Sequence, residues 1–198
     1  MTAQPAFTRA DPDARRQSLI AATARVLAAR GAVGVSVRTI CAEAGVSAGL
    51  LRHYFASLSD AMAATYRWMG AEIDRALEEA VAAAGPEPRA RLLAYLAANF
   101  RAPIATPELL ATYVAFWSLT RSDPAVAAVR AEVYGGFRQG LEERLRAYRP
   151  DLADVRVRAV ALTALIDGLW LELSLGQAPF SAEEAEALAA QWLDALTV

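Results

Sequence analysis

The chain contains no lysine: all 20 of its basic residues are arginine, a side chain that stays charged at any working pH and binds phosphate bidentately. It contains one cysteine, Cys41, which excludes an intrachain disulfide and reads as a small core residue. It contains one histidine, His53. A helical enzyme would need a nucleophile, an acid–base pair or a metal-ligand cluster, and one His with one Cys and no carboxylate–histidine spacing supplies none. No catalytic residue, cofactor or metal is therefore expected. No uninterrupted apolar run reaches the roughly 18 residues of a membrane span, because Arg, Glu or Asp breaks every long one. The first residues lack the apolar centre of a signal peptide, so a cytoplasmic protein is expected. Internal repeats and low-complexity linkers are also missing, and residues 1 to 10 read as a frayed arm.

What is present is a sizeable apolar chain. A hydrophobic share of 56% over 198 residues excludes a disordered polymer and fits one or two domains. The net charge of −2 is unevenly spread: residues 1 to 60 carry seven Arg against Asp11, Asp13, Glu43 and Asp60. A basic N-terminal head thus sits on an acidic body, a modest electrostatic footprint for a polyanion such as DNA.

The punctuation along the chain is helical throughout. Asp11-Pro12 opens a helix running to Gly31, with Ile20, Ala24 and Leu27 on one face. Ser59 is placed to cap a long helix whose inward stripe is Met62, Met69, Ile73, Leu77 and Ala80. Gly85-Pro86 ends it, residues 89 to 102 form the next, and Thr106-Pro107 opens one carrying Tyr113, Phe116 and Trp117. Ser122-Asp123-Pro124 opens a longer helix ending near Pro150. Residues 152 to 175 and 182 to 197 form the last two, the final one opened by a capping box, Ser181 with Glu184. The expected fold is all-α: an N-terminal three-helix helix-turn-helix head over residues 11–57, joined to a C-terminal helical bundle over residues 58–198.

The head is legible in detail in the stretch VSVRTICAEAGVSAGLLRHYF, residues 35 to 55. Val37, Ile40, Cys41 and Ala44 make one apolar stripe on a helix that Ser36 opens and Gly45 ends. Ser47 then caps a second helix held to the core by Val46, Leu51 and Phe55. At about 100° per residue, that anchoring turns Gly49 and His53 away from the core, with Leu50 and Arg52 beside them. A face so slender at its start fits a major groove roughly 12 Å wide. Arg52 has the fork for guanine or phosphate, His53 and Tyr54 have donors for bases or backbone, and Ser47 and Thr39 lie where helix N-terminal N–H groups favour phosphate. Each also has an ordinary reading, Arg52 and His53 as solvated surface groups and Thr39 as a plain helix-surface residue.

The segment from Arg15 to Asp60, with RRQSLIAATARVLAARG, the AGVS turn and the terminal HYF in order, resembles the TetR family of bacterial transcriptional repressors. RHYF, FWSLTRSDPAV and ALIDGLWLELSLGQ resemble its BetI-like branch, which includes the repressor of choline-to-betaine genes. The resemblance implies a third helix in the major groove, a C-terminal effector site and a homodimer on a palindromic double-stranded operator. It carries Ser47, Arg52, His53 and Tyr54 over as DNA contacts, to which the reading of the residues themselves adds Arg38, Thr39, Ala48 and Gly49. Ala48 and Leu58 depart from the family's polar habits there, which removes two phosphate contacts, and Arg15, Arg16 and Arg38 are the candidates to compensate. Those departures keep open a second reading, a ligand-binding helical scaffold that does not bind DNA.

Two expectations concern the body. The penultimate helix is apolar around most of its circumference, with Val155, Val157, Val160, Leu162, Leu165, Ile166, Leu169, Trp170 and Leu173, more than one buried face requires. It is either central to a monomer or paired with a second copy. Phe100, Tyr113, Phe116, Trp117 and Trp170, with Asp167 nearby, are the candidate effector residues, because aromatic faces with one carboxylate hold quaternary ammonium ions. The same aromatics also serve as ordinary core.

Overall fold

A computed structural model describes residues 12–196, so the expected N-terminal arm and Asp11 lie outside the described residues. The described residues form nine α-helices and no strand: α1 (Pro12–Arg30), α2 (Val37–Ala44), α3 (Ala48–Tyr54), α4 (Leu58–Ala83), α5 (Pro88–Ala97), α6 (Pro107–Leu119), α7 (Pro124–Tyr148), α8 (Val155–Ser174) and α9 (Ala182–Leu196). Short 3-10 turns at Ala32–Gly34 and Ala98–Phe100 complete them. The second turn marks a departure from expectation: the helix after Gly85 ends at Ala97 rather than near Ala102.

Local chemistry sets most boundaries. Pro sits in the first turn of α5, α6 and α7, where its missing N–H costs nothing, with Glu87, Thr106 and Asp123 as caps. Ser181 and Glu184 form the expected reciprocal box ahead of α9. The long helix α4 is capped by Ser57 and not by Ser59: the Asp60 N–H donates to Ser57 Oγ at 3.0 Å. Ser59 instead donates to Asp123 Oδ1 at 2.7 Å, tying the start of α4 to the start of α7.

Two hydrophobic clusters organise the packing. The smaller joins Leu19, Ile20, Ile40, Cys41, Leu51 and Phe55 with Ala61 and Ala64 of α4, so the first three helices close on the beginning of the fourth. The larger runs through α4 to α9 and includes the inward side chains Met62, Met69, Ile73 and Leu77. Ala80, expected on the same stripe, is only half-buried, while Tyr66, not on it, is fully buried. Helices α4 and α7 lie side by side and run parallel, as the order of their contacts shows: Ser59 with Asp123, Arg67 with Glu132, Gly70 with Val133 and Glu78 with Arg144.

Among the described residues no helix is long and apolar enough to cross a membrane. On α8, Val155, Leu162, Ile166, Leu169 and Trp170 are buried, whereas Val157 and Val160 face outward together with Leu171 and Leu175.

Candidate functional site

The N-terminal site is built from α2 and α3. Ser36 opens α2 by accepting from the Thr39 N–H at 3.1 Å, and Thr39 Oγ1 accepts in return from the Ser36 N–H at 2.8 Å. The Thr39 hydroxyl also donates to the Gly34 carbonyl at 3.0 Å. That hydroxyl is therefore engaged inside the fold as the far half of a capping box, a use the spacing had not disclosed. Gly45 closes α2 with φ of 64°, the left-handed conformation that glycine adopts without strain. Ser47 then accepts from the Leu50 N–H at 3.3 Å and starts α3.

Leu51 and Phe55 are buried and Val46 is half-buried, so α3 is pinned on the expected side. The opposite side is open: Ser47, Ala48, Gly49, Arg52 and His53 are all exposed, and Arg38 is exposed on the first turn of α2. Tyr54 is half-buried, packed edge-on to the His53 ring at 5.1 Å. Nothing bulky crowds the start of α3, since a Cβ added at Gly49 would meet only Ser47 Oγ, at 3.8 Å. Arg16 stacks over Phe55, its guanidinium carbon 5.2 Å from the ring centroid, which holds a cation against the base of the same unit.

The second site lies in the body between α4, α6, α7 and α8. A cavity of about 30 Å³, room for roughly one water, is lined by Gly70, Ile73, Asp74, Tyr113, Tyr134 and Trp170, with Asp167 and Asn99 among its polar walls. Tyr113 presents its ring edge-to-face with Trp170 at 5.0 Å and with Trp117 at 5.7 Å. The Trp170 indole N–H donates to the Asn99 carbonyl at 2.8 Å, which fixes the ring. A hydrogen-bonded relay runs through the cavity wall: Trp117 Nε1 donates to the Tyr134 hydroxyl at 2.9 Å, and that hydroxyl donates to Asp167 Oδ1 at 3.0 Å.

Electrostatics follow from burial. Desolvation lifts the Asp167 carboxyl to about 6, although the Tyr134 hydrogen bond and the guanidiniums of Arg130 and Arg138 pull it down. Burial likewise pushes the Tyr66 hydroxyl up to about 12 and raises the Tyr113 and Tyr134 hydroxyls well above the usual phenol range.

Of the six candidate effector residues, the structure brings Tyr113, Asp167 and Trp170 to the cavity wall. Trp117 stands behind them as donor to Tyr134. Phe100 and Phe116 do not line the cavity; both are buried core, Phe116 stacked on Tyr66 at 4.5 Å, because their positions on the helices turn them toward α4 and its neighbours. Sequence reasoning missed Tyr134. Its flanking arginines were the available signal, since Arg130 and Arg138 lie four residues to either side and stack on its ring with guanidinium carbons 4.1 and 5.7 Å from the centroid.

A larger concavity lies elsewhere, an open groove of about 670 Å³ between α1 and α6. Its walls include the methyl groups of Ala24, Ala28 and Ala29, and the exposed Arg25–Glu43 pair sits at its edge. Size alone does not make it the site; the aromatic cavity is the one that combines enclosed π faces with a desolvated carboxylate.

Comparison with known proteins gives the following. Residues 19–59 match the family described as bacterial regulatory proteins, tetR family, and residues 88–198 match the family described as BetI-type transcriptional repressor, C-terminal. The HTH-type transcriptional regulator BetI of Burkholderia thailandensis is 33% identical over 92% of this chain and 93% of its own length. Among solved structures, a transcriptional regulator from Pseudomonas aeruginosa PAO1 superposes with a TM-score of 0.88 at 36% identity, covering 98% of this chain and 95% of that one. A regulator from Saccharomonospora viridis, solved in complex with choline, shares the fold with a TM-score of 0.77 at 20% identity, over 92% of this chain and 96% of its own.

Proposed function

This chain belongs to the TetR family of bacterial transcriptional regulators, in its BetI-type branch, and on that footing we propose that it is a cytoplasmic homodimeric repressor that grips a palindromic double-stranded operator and lets go when a small-molecule effector enters the body. We assign residues 11–57 to DNA binding and residues 58–198 to effector binding and dimerisation. The observation that carries the reading is the face of α3, anchored by Leu51 and Phe55 and open along Ser47, Ala48, Gly49, Arg52 and His53.

On this face Arg52 and His53 read base edges or phosphate, while Ala48 and Gly49 let the helix approach the groove floor. Tyr54, half-buried, reaches the backbone only with its hydroxyl. Ser47 and Arg38 sit at helix starts, where free N–H groups favour phosphate. Thr39 acts by holding the start of α2 in shape, since its hydroxyl is already shared with Ser36 and Gly34. In the body, the faces of Tyr113 and Trp170 with the carboxylate of Asp167 suit a small organic cation. Effector entry then moves α4, which leads from the cavity into the DNA-reading unit, and both half-sites can no longer be held at once.

Fluorescence anisotropy of the purified protein on the DNA beside its own gene, with competitor DNA and a salt series, tests this. Specific binding should weaken with salt by a log–log slope of about 0.9 per phosphate neutralised. Arg52→Ala should cost about 1–3 kcal/mol at the cognate site if it reads a guanine, whereas Arg38→Ala should weaken binding to all sequences alike. A flat salt slope, with neither substitution changing affinity, would sink the assignment of this face.

A further inference from the structure

The DNA-reading role proposed for α3, on which this inference rests, leaves one of its residues, Leu50, without a use. The polar side chains of the helix, Arg52, His53 and Tyr54, all stand in its second turn. Its first turn is Ala48, Gly49 and Leu50, and none of the three has a side-chain donor or acceptor. Ser47, just ahead of them, has its hydroxyl engaged as the cap that accepts from the Leu50 N–H. Three successive positions on a face that enters the major groove therefore make no side-chain hydrogen bond to a base edge.

Leu50 is the bulkiest of the three, and the fold does not use its side chain. Its apolar neighbours Val46, Leu51, Tyr54, Phe55 and Leu58 are each buried in a hydrophobic cluster or packed against one, whereas Leu50, among the described residues, belongs to neither cluster. It is half-buried. With Leu51 and Phe55 anchoring the helix, a turn of about 100° per residue sets Leu50 on one shoulder of the outward face, beside Gly49 and His53. Arg52 stands on the other shoulder, so the face has one charged flank and one apolar flank. Only one apolar group lies on the major-groove edges of the bases, the C5 methyl of thymine. Against cytosine, adenine or guanine, a leucine strips water from an amino group or a ring acceptor and returns no hydrogen bond. Against thymine it buries methyl on methyl.

We propose that Leu50 is a specificity-determining residue that recognises the C5 methyl of a thymine in each operator half-site. The first turn of α3 then selects bases by apolar contact, and the second turn, through Arg52 and His53, by hydrogen bonds. A leucine exposed to water on this helix gains its partner only when the correct base is beneath it.

The DNA segment that the full chain protects beside its own gene supplies the probe. Fluorescence anisotropy compares that duplex with versions in which each thymine in turn is replaced by deoxyuridine, which lacks only the C5 methyl. At one thymine of each half-site the replacement should weaken binding about fourfold, the worth of one buried methyl. Cytosine at that position should weaken it further, and 5-methylcytosine should recover about fourfold of the loss. Leu50→Ala should bind the thymine operator more weakly and hold the thymine and deoxyuridine duplexes within about twofold of each other. Because Leu50 packs into neither cluster, this variant should keep the thermal midpoint of the parent, which separates a lost contact from a lost fold. Deoxyuridine tolerated at every thymine, or penalised equally in Leu50→Ala, would overturn the methyl contact while sequence-selective binding stood. An absence of selective binding by the parent chain would instead remove the reading of α3, and the role of Leu50 with it.

Discussion

Asp167 shows how one side chain ties stability to the site. Its carboxyl is faced by Tyr134, Arg130 and Arg138 from α7 and lies near Tyr66 of α4 and Tyr113 of α6. Burial holds its proton up to about pH 6 in the folded chain, whereas an unfolded Asp releases it near roughly 3.9. Between those values the folded state binds more protons, so stability falls as pH rises through the window and the full penalty is present above it. Asp167→Asn removes the charge while keeping an acceptor for Tyr134. Thermal denaturation at pH 7.5 should find the variant more stable by about 1–3 kcal/mol, with the gap closing toward pH 4. A gap independent of pH would refute the desolvated carboxylate. At this scale the sequence disclosed Tyr113, Asp167 and Trp170, because each stands on an evident helix face. It hid Tyr134, whose role arises only when α7 is laid against α6 and α8, contacts between residues far apart in the chain.

The pairing of α4 with α7 is where elements meet function. At Gly70 the two helices approach so closely that an added Cβ would fall 2.7 Å from Val133 Cγ2. Gly70→Ala should therefore push α4 off α7 and imitate the effector, lowering operator affinity with nothing bound; adding Val133→Ala should restore it. Anisotropy on the operator reads both, and full affinity in the single variant would show that α4 does not transmit the change. The elements themselves were largely readable, since Pro, Gly and Ser/Asp caps mark α1, α2, α3, α6, α7 and α9 close to where they occur. The start of α4 was misread because Ser57 and Ser59 are both competent caps. Asp60 decides between them: its N–H is bonded to Ser57 and its carboxylate accepts from the Ala56 N–H at 3.0 Å. Ser59 is thereby freed for Asp123, a partner no local pattern reveals.

For the molecule as a whole, the outward side of α8 is the surface on which the proposed second copy would pack. Val157, Val160, Leu171 and Leu175 are exposed there, Ala164 and Gly168 between them are small enough for close approach, and Trp192 of α9 is half exposed. Leu171→Glu should convert the proposed dimer to a monomer in sedimentation and, because a monomer can engage only one half-site of the proposed palindrome, should abolish tight operator binding. A dimer that persists in this variant would place the interface elsewhere. A closed cavity would set the dose response of the proposed release. An interior with space for about 30 Å³ must expand before it admits any effector, so part of the intrinsic affinity is spent on opening, and each 1.4 kcal/mol so spent raises the half-saturating concentration about tenfold. On the proposed reading, traces of ligand leave the operator occupied, and release begins only once the compound is abundant.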